Sequence, residues 1–539
     1  MPESELVKLE GNETKADGVF WRIEPSEAVA FVKPDLEPVT YKEFHRLIEV
    51  FSARLSERKG LVGICCDGHF SQYVAYISAL RCGVPAVLMQ PGQTAESTGL
   101  TLGSLYVPAA DDLVPVSGTK PPACHEDLAV LLSTSGSTGA EKWVRLSYAN
   151  LAANAASIAE YLSLAPNDCA PMSLPLQYSY GMSVLNSHLA VGATLALSEG
   201  SVVSDDFWAF FKNAGCTSFA GVPHSFQLMD QAKVRTDHLG CLRYMTQAGG
   251  RLAPESVLRW AKRSRSEGWD FFVMYGQTEA APRISYLPPE YALQSPSAVG
   301  IPVPGGEIRI ADDTDAPVPD GETGELIYIG ANTMMGYALE DADLAKPQGT
   351  NELRTGDIAR RLPNGMYEIV GRRSRFVKMF GLRISLDEVE KKLESLGVSA
   401  VCGSHEDRMH VLVETGDAGE NDLERVRREL AAWLELPENS FSVVSIDAVP
   451  RRRNGKVDTA AVEKIIAREY GVKRQDRSGD WNFWRAFGKR RTVAEIFRMY
   501  FGPDLVAADS TFQTLGGDSL TYLSLSLELE QILGRLPKR

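Results

Sequence analysis

Several short stretches of this chain place hydroxyls, glycines, carboxylates and single basic residues where they could handle phosphate. Ser133, Thr134, Ser135, Gly136, Ser137, Thr138 and Gly139 run together, and Lys142 follows shortly after. Small residues let a backbone close around phosphate oxygens, and N–H and O–H groups donate to them. Lys142 would add a positive charge. The spacing does not fit the P-loop pattern G-x-x-x-x-G-K-[ST].

Tyr275-Gly-Gln-Thr278-Glu279 offers an aromatic for a purine, a hydroxyl for phosphate and a carboxylate for Mg²⁺. Magnesium is usually held by one or two protein carboxylates together with phosphate oxygens. Arg354-Thr-Gly-Asp357 sets a carboxylate after a glycine turn, where it could accept both hydroxyls of a ribose. Gly371-Arg372, Lys378 and Gly381-Leu-Arg383 form a basic, glycine-flanked junction that could absorb a backbone rotation. Asn454-Gly455-Lys456 is a glycine-tipped turn that could present one cation to a reacting centre. Leu515-Gly-Gly-Asp-Ser519-Leu places a hydroxyl at a helix start, with Leu520, Leu523 and Leu527 at helical spacing. Each of these alone is also an ordinary turn or connector.

Their order distinguishes them. In this sequence and spacing they resemble the adenylate-forming superfamily of acyl-CoA synthetases, luciferases and peptide-synthetase adenylation domains, over roughly residues 20–470. The last motif resembles the phosphopantetheine attachment site of acyl and peptidyl carrier proteins. The resemblance implies that a carboxylic acid attacks ATP to give acyl-AMP, and that a thiol then takes the acyl group. It implies that Ser133 to Gly139 and Lys142 embrace phosphates, Thr278 contacts phosphate, and Glu279 holds Mg²⁺. Tyr275 and the Ala248-Gly249-Gly250 turn would sandwich adenine. Asp357 would take the ribose, with Arg372 beside it. Lys456 would bridge the acid and the α-phosphate until the small domain swings it away. Ser519 would carry 4'-phosphopantetheine, installed by a phosphopantetheinyl transferase, and the carrier could act in cis or in trans. Two positions depart from the family's usual pattern: Ser374 at the junction, and Ala140-Glu141 before Lys142.

The segment Leu176-Gln-Tyr-Ser-Tyr-Gly-Met-Ser183 contains no carboxylate to pair with an α-ammonium. A buried ammonium without a partner is costly. An acyl, hydroxyacyl or aryl acid is therefore expected rather than an amino acid. Gln177, Tyr178, Tyr180, Gly181, Met182 and His224 are candidate pocket walls. Two other readings remain open: an acyl-CoA synthetase using free coenzyme A, and a catalytically inactive scaffold.

The elements that must position these residues read as an α/β fold. Leu128 to Leu132 is a strand, a polar turn follows, and a helix starts near Ser147 with Leu151, Ala155, Ile158 and Leu162 on one face. Residues 1–373 are expected to form a large, multi-layer AMP-binding domain, and 374–470 a small, mobile α+β domain. In the latter, Ser385 and Glu388 propose a capping box. Strand-like 410–413 and 441–446 flank helix-like 423–434. Residues 471–491 read as a linker, and 492–539 as a partial helical carrier domain, shorter than such domains usually are.

The chain has 539 residues with a formal net charge of −14, which disfavours nucleic acid and anionic membranes as partners. Its eight cysteines form no C-x-x-C pair, which argues against zinc and a disulfide framework and points to a reducing cytoplasm.

Overall fold

A computed structural model describes residues 19–468, except 57–59, 117–119, 136–140, 238, 374, 380–381, 406–407, 415–419, 435, 437, 452–456 and 460. Gly136 to Gly139, Lys456, the 471–491 linker and the whole carrier-like segment with Ser519 lie outside the described residues. The chain divides into two compact units, with the boundary between Ser374 and Arg375.

The first unit is α/β. Its largest sheet has seven strands, in the order Gly336–Ala338, Glu141–Ser147, Leu128–Ser135, Ala86–Met89, Leu61–Cys65, Leu102–Val107 and Asp112–Pro115. The strands Leu128–Ser135, Ala86–Met89, Leu61–Cys65 and Leu102–Val107 run parallel to one another. Ala86–Met89 and Leu61–Cys65, at the centre, are almost wholly apolar and buried, as strands covered on both faces must be. A second sheet of five strands begins with three parallel ones, Ser218–Gly221, Tyr244–Gln247 and Asp270–Tyr275. A third is an antiparallel sheet of Glu307–Ala311, Thr323–Ile329, Glu352–Arg361 and Tyr367–Arg372.

The helix expected near Ser147 is Tyr148–Tyr161, and Leu151, Ala155 and Ile158 are at most 2% exposed on its inner face. Ser147 caps it, accepting from the Asn150 backbone N–H, while Asn150 returns a bond to the Ser147 N–H. One expectation needs correcting here. The Ser/Thr/Gly run does not lead from strand directly into helix. Ser133, Thr134 and Ser135 are the last residues of the strand and pair antiparallel with Trp143, Lys142 and Glu141. Leu128–Ser135 and Glu141–Ser147 therefore form a β-hairpin, and its second strand stands between the Ser/Thr run and the helix. Lys142 and Arg145 hide that strand by interrupting the apolar run of Trp143, Val144 and Leu146.

The second unit packs a two-stranded ribbon, Phe376–Met379 with Leu382–Ser385, and a three-stranded sheet of Ala400–His405, Arg408–Glu414 and Ser442–Ile446. The helices Leu386–Ser395 and Glu420–Leu434 cover one core with Val389, Leu393, Val426 and Leu430. Ser385 caps the first of them, accepting from the Glu388 N–H at 3.3 Å. Only this half of the expected capping box is present among the described hydrogen bonds.

The three-residue edge strand Gly336–Ala338 is held at its far end by Asp343. The Asp343 carboxylate accepts from the N–H groups of Leu339 (2.8 Å) and Glu340 (3.2 Å) and from Lys346 Nζ (2.6 Å). The Lys346 bond, followed by the backbone donors, holds the Asp343 carboxyl down at about 2. An unfolded Asp titrates near 4, so this stabilisation is complete above about pH 4 and is lost as pH falls through about 2. We expect Asp343→Asn to lower the urea midpoint by a constant amount between pH 7 and 5, with the gap narrowing toward pH 3. A gap that does not change with pH would contradict this.

Candidate active site

The carboxyl ends of the three parallel strands in the second sheet converge, as ligand crevices of α/β sheets do. Ser218–Gly221 leads to Val222 and Pro223, Tyr244–Gln247 to Ala248-Gly249-Gly250, and Asp270–Tyr275 to the turn Thr278–Ala280. Gly249 has φ +84°, a left-handed conformation. A Cβ on it would stand 2.0 Å from the Tyr178 hydroxyl. The glycine turn and Tyr178 are thus in direct contact, and the Gln247 amide ties the turn to itself through the Gly250 carbonyl (2.8 Å).

Asp357 is the electrostatic centre. It is 2% exposed, yet it sits in the middle of the strand Glu352–Arg361. One carboxylate oxygen accepts from the Tyr275 hydroxyl (2.5 Å) and the Gln277 amide (3.0 Å), and the other from Arg372 Nε (3.0 Å). Arg372 faces Asp357 directly across the antiparallel pair. Burial, followed by the Asp357 charge, pushes the Tyr275 phenol well above its ordinary value, so it remains a donor. The structure therefore brings Tyr275, Asp357 and Arg372 together, and adds Gln277.

A second cluster joins the Thr278–Ala280 turn to the hairpin. Tyr337, on the edge strand opposite Val144, donates its hydroxyl to Glu279 Oε1 at 2.8 Å. The Lys142 ammonium lies 5.6 Å from the centroid of the same ring. The Met334 N–H donates to the Glu279 carbonyl (2.9 Å), and the Asn332 amide donates to the Ala280 and Arg283 carbonyls. Residues 332–338 are therefore a strap between two motifs. Sequence reasoning missed Tyr337, Asn332 and Gln277; nothing in the spacing of Tyr337 or Asn332 signalled a role, whereas Gln277 lay inside a motif already singled out.

The Thr278 hydroxyl meets that of Ser179 at 3.2 Å, at the start of the helix Ser179–Val191. Gly181 lies in that first turn, where a Cβ would come within 2.2 Å of the Pro175 carbonyl oxygen. Its smallness therefore serves packing. Tyr178 is half-buried, and burial pushes its phenol up to about 12. Tyr180 is buried at 2% exposure and is held by Thr246 (2.8 Å to the hydroxyl). Gln177 keeps a buried carbonyl oxygen with no hydrogen-bond partner. Met182 is buried in the core. His224 stands exposed in the first turn of the helix Pro223–Gln231.

Residues 104–338 match the family model described as AMP-binding enzyme. A probable non-canonical nonribosomal peptide synthetase, CymA of Salinispora arenicola, is 27% identical over 85% of this chain and 6% of its own length. Phenyloxazoline synthase MbtB of Mycobacterium tuberculosis is 29% identical over 82% of this chain and 31% of its own length. The chain thus spans less than a third of these curated relatives. Its fold is that of o-succinylbenzoate CoA synthetase (MenE) from Bacillus subtilis, with TM-score 0.67 and 21% identity, covering 82% of this chain and 96% of that one. Residues 104–338 are thus similar to AMP-binding enzymes, within a fold that extends over most of the chain. Among the described residues, no helix is long and apolar enough to cross a membrane.

The contact between Gly249 and Tyr178 yields a test. Gly249→Ala should destabilise the fold by about 1–3 kcal/mol, from the positive φ and from the clash. Adding Tyr178→Phe should recover the clash component but not the strain, as read by urea melts of the two single variants and the double. Strict additivity of the two substitutions would mean that the hydroxyl does not abut the glycine.

Proposed function

We propose that the chain uses ATP and Mg²⁺ to activate a carboxylic acid lacking an α-amine, and passes the acyl group to a phosphopantetheine thiol on a carrier domain. The Asp357 cluster is the observation that carries this reading. A buried carboxylate held by three donors is oriented, and its remaining acceptor capacity suits a ribose hydroxyl. The adjoining Tyr275 and the Gly249-Gly250 turn would then flank adenine.

Glu279 suits Mg²⁺: only its Oε1 accepts from Tyr337, and magnesium needs few protein carboxylates when phosphate oxygens are present. When bound, the ion would neutralise charge on the phosphates. Ser133, Thr134, Ser135 and Lys142, with the loop residues Gly136, Ser137, Thr138 and Gly139, would bind the outer phosphates, and Thr278 would donate to phosphate. Lys456 would orient the acid against the α-phosphate. The carboxylate oxygen attacks that phosphorus and pyrophosphate leaves. A thiol then attacks the acyl carbon, releasing AMP and a proton. Such in-line chemistry needs positioning and charge neutralisation more than covalent help. We place the AMP-binding domain at 1–373, the small domain at 374–470 and the carrier segment at 492–539, with Gln177, Tyr178, Tyr180 and Gly181 at the acid and His224 at its rim.

Asp357→Ala should raise the KM for ATP at least about tenfold in ATP–pyrophosphate exchange with a panel of acids, in line with losing charge-assisted hydrogen bonds. An unaltered ATP dependence would refute the ribose contact. Ser519→Ala should leave exchange intact and abolish covalent acyl loading by intact mass. A loaded variant would rule out the carrier role, and turnover with free coenzyme A but no loading would mark a CoA synthetase instead.

A further inference from the structure

Arg283 follows closely on the Thr278–Ala280 turn, and nothing above uses it. It is 3% exposed. A guanidinium keeps its charge at any accessible pH, yet among the described residues no carboxylate pairs with it. Its guanidinium carbon lies 4.3 Å from the centroid of the Tyr180 ring, a cation–π contact that offsets part of the desolvation. The site's own carboxylates are engaged elsewhere, Asp357 with Tyr275, Gln277 and Arg372, and Glu279 with Tyr337.

Arg283 lines a cavity of about 20 Å³ whose wall is mostly apolar, with Ile158, Phe219 and Met274 beside Tyr180, His188 and Thr246. Three of its lining residues keep a buried polar atom with no hydrogen-bond partner: Nε of Arg283, Nε2 of His188 and the hydroxyl of Tyr244. Arg283 Nε and His188 Nε2 are chemically opposite, and the Tyr244 hydroxyl can donate or accept. Arg283 Nε carries a hydrogen and can only donate. His188 Nδ1 lies 2.8 Å from the Val184 carbonyl oxygen, which can only accept, so Nδ1 holds the proton and Nε2 is left as an acceptor. Burial pushes this imidazole down to about 4, so it stays neutral. A volume of 20 Å³ takes a group the size of one water. A carboxylate is larger and would confront the Nε2 lone pair. A hydroxyl would fit the volume and has both the lone pair that Arg283 Nε needs and the proton that His188 Nε2 needs.

We propose that this cavity recognises a hydroxyl on the tail of the acid, so that the substrate is a short hydroxy acid. The inference rests on the acid-activating reading above and names the substrate class of that same site.

The test uses the full chain and matched pairs: butyrate against its 3- and 4-hydroxy forms, pentanoate against its 3-, 4- and 5-hydroxy forms, with succinate as a diacid arm. Wild type should favour one hydroxy acid over its parent by about 100-fold or more in kcat/KM for pyrophosphate release. A site that hydrogen-bonds a substrate hydroxyl rejects the analogue lacking it by large factors. Arg283→Met and, separately, His188→Phe should collapse that ratio toward one, a readout that a merely structural role would not move. If either variant fails to fold, the wild-type ratio still decides. No preference in wild type would mean that the cavity holds a structural water only. A preference for succinate would mean that it reads an anion, and a ratio unchanged in Arg283→Met would remove Arg283 from recognition; each of these overturns the proposal. If no acid releases pyrophosphate, the adenylation reading falls. Calorimetric titration with the same pairs then still reads the cavity, and equal affinity for hydroxy acid and parent would overturn it.

Discussion

A single buried charge organises the first unit. Asp357 is removed from water in the interior of a strand, and an unpaired carboxylate there would be prohibitively costly. Its donors come from separate places in the chain: Arg372 from the neighbouring strand of the same sheet, Tyr275 and Gln277 from the end of a strand in another. The antiparallel sheet and the parallel one are therefore locked at this point by a requirement of charge. The Thr278–Ala280 turn inherits its position from that lock. The strap of residues 332–338 then fixes the turn to the hairpin.

Much of the scaffold was legible because its periodicities are strong. The helix Tyr148–Tyr161 announces itself through Leu151, Ala155 and Ile158 and through its serine cap. The strand Glu141–Ser147 does not, because Lys142 and Arg145 stand in it. Arg145 is 3% exposed and donates to the Met335 and Lys346 carbonyls, a long-range use that no local pattern records.

The site divides along the same line. Tyr275, Asp357 and Arg372 lie in motifs whose chemistry could be read directly, and they meet as a cluster. Tyr337 and Asn332 act across the fold, through one hydroxyl and one amide. Their reach depends on sheet order, with Gly336–Ala338 added at the edge beside Glu141–Ser147. Arg283 escaped notice for a related reason. Its meaning lies in the lack of a counter-charge around it among the described residues, and that is a property of packing.

The hairpin geometry of the Ser/Thr/Gly run carries one more consequence. In folds where a glycine loop opens straight into a helix, the macrodipole and the free N–H groups of the first turn help hold an anion. Here the next helix starts only at Tyr148, and its cap is closed by the reciprocal pair of Ser147 and Asn150. The first turn of the helix Tyr148–Tyr161 is therefore not the partner of an anion at this hairpin. In the proposed phosphate role, Lys142 would supply a side-chain charge, and that part of the attraction would weaken with ionic strength as exposed charges do.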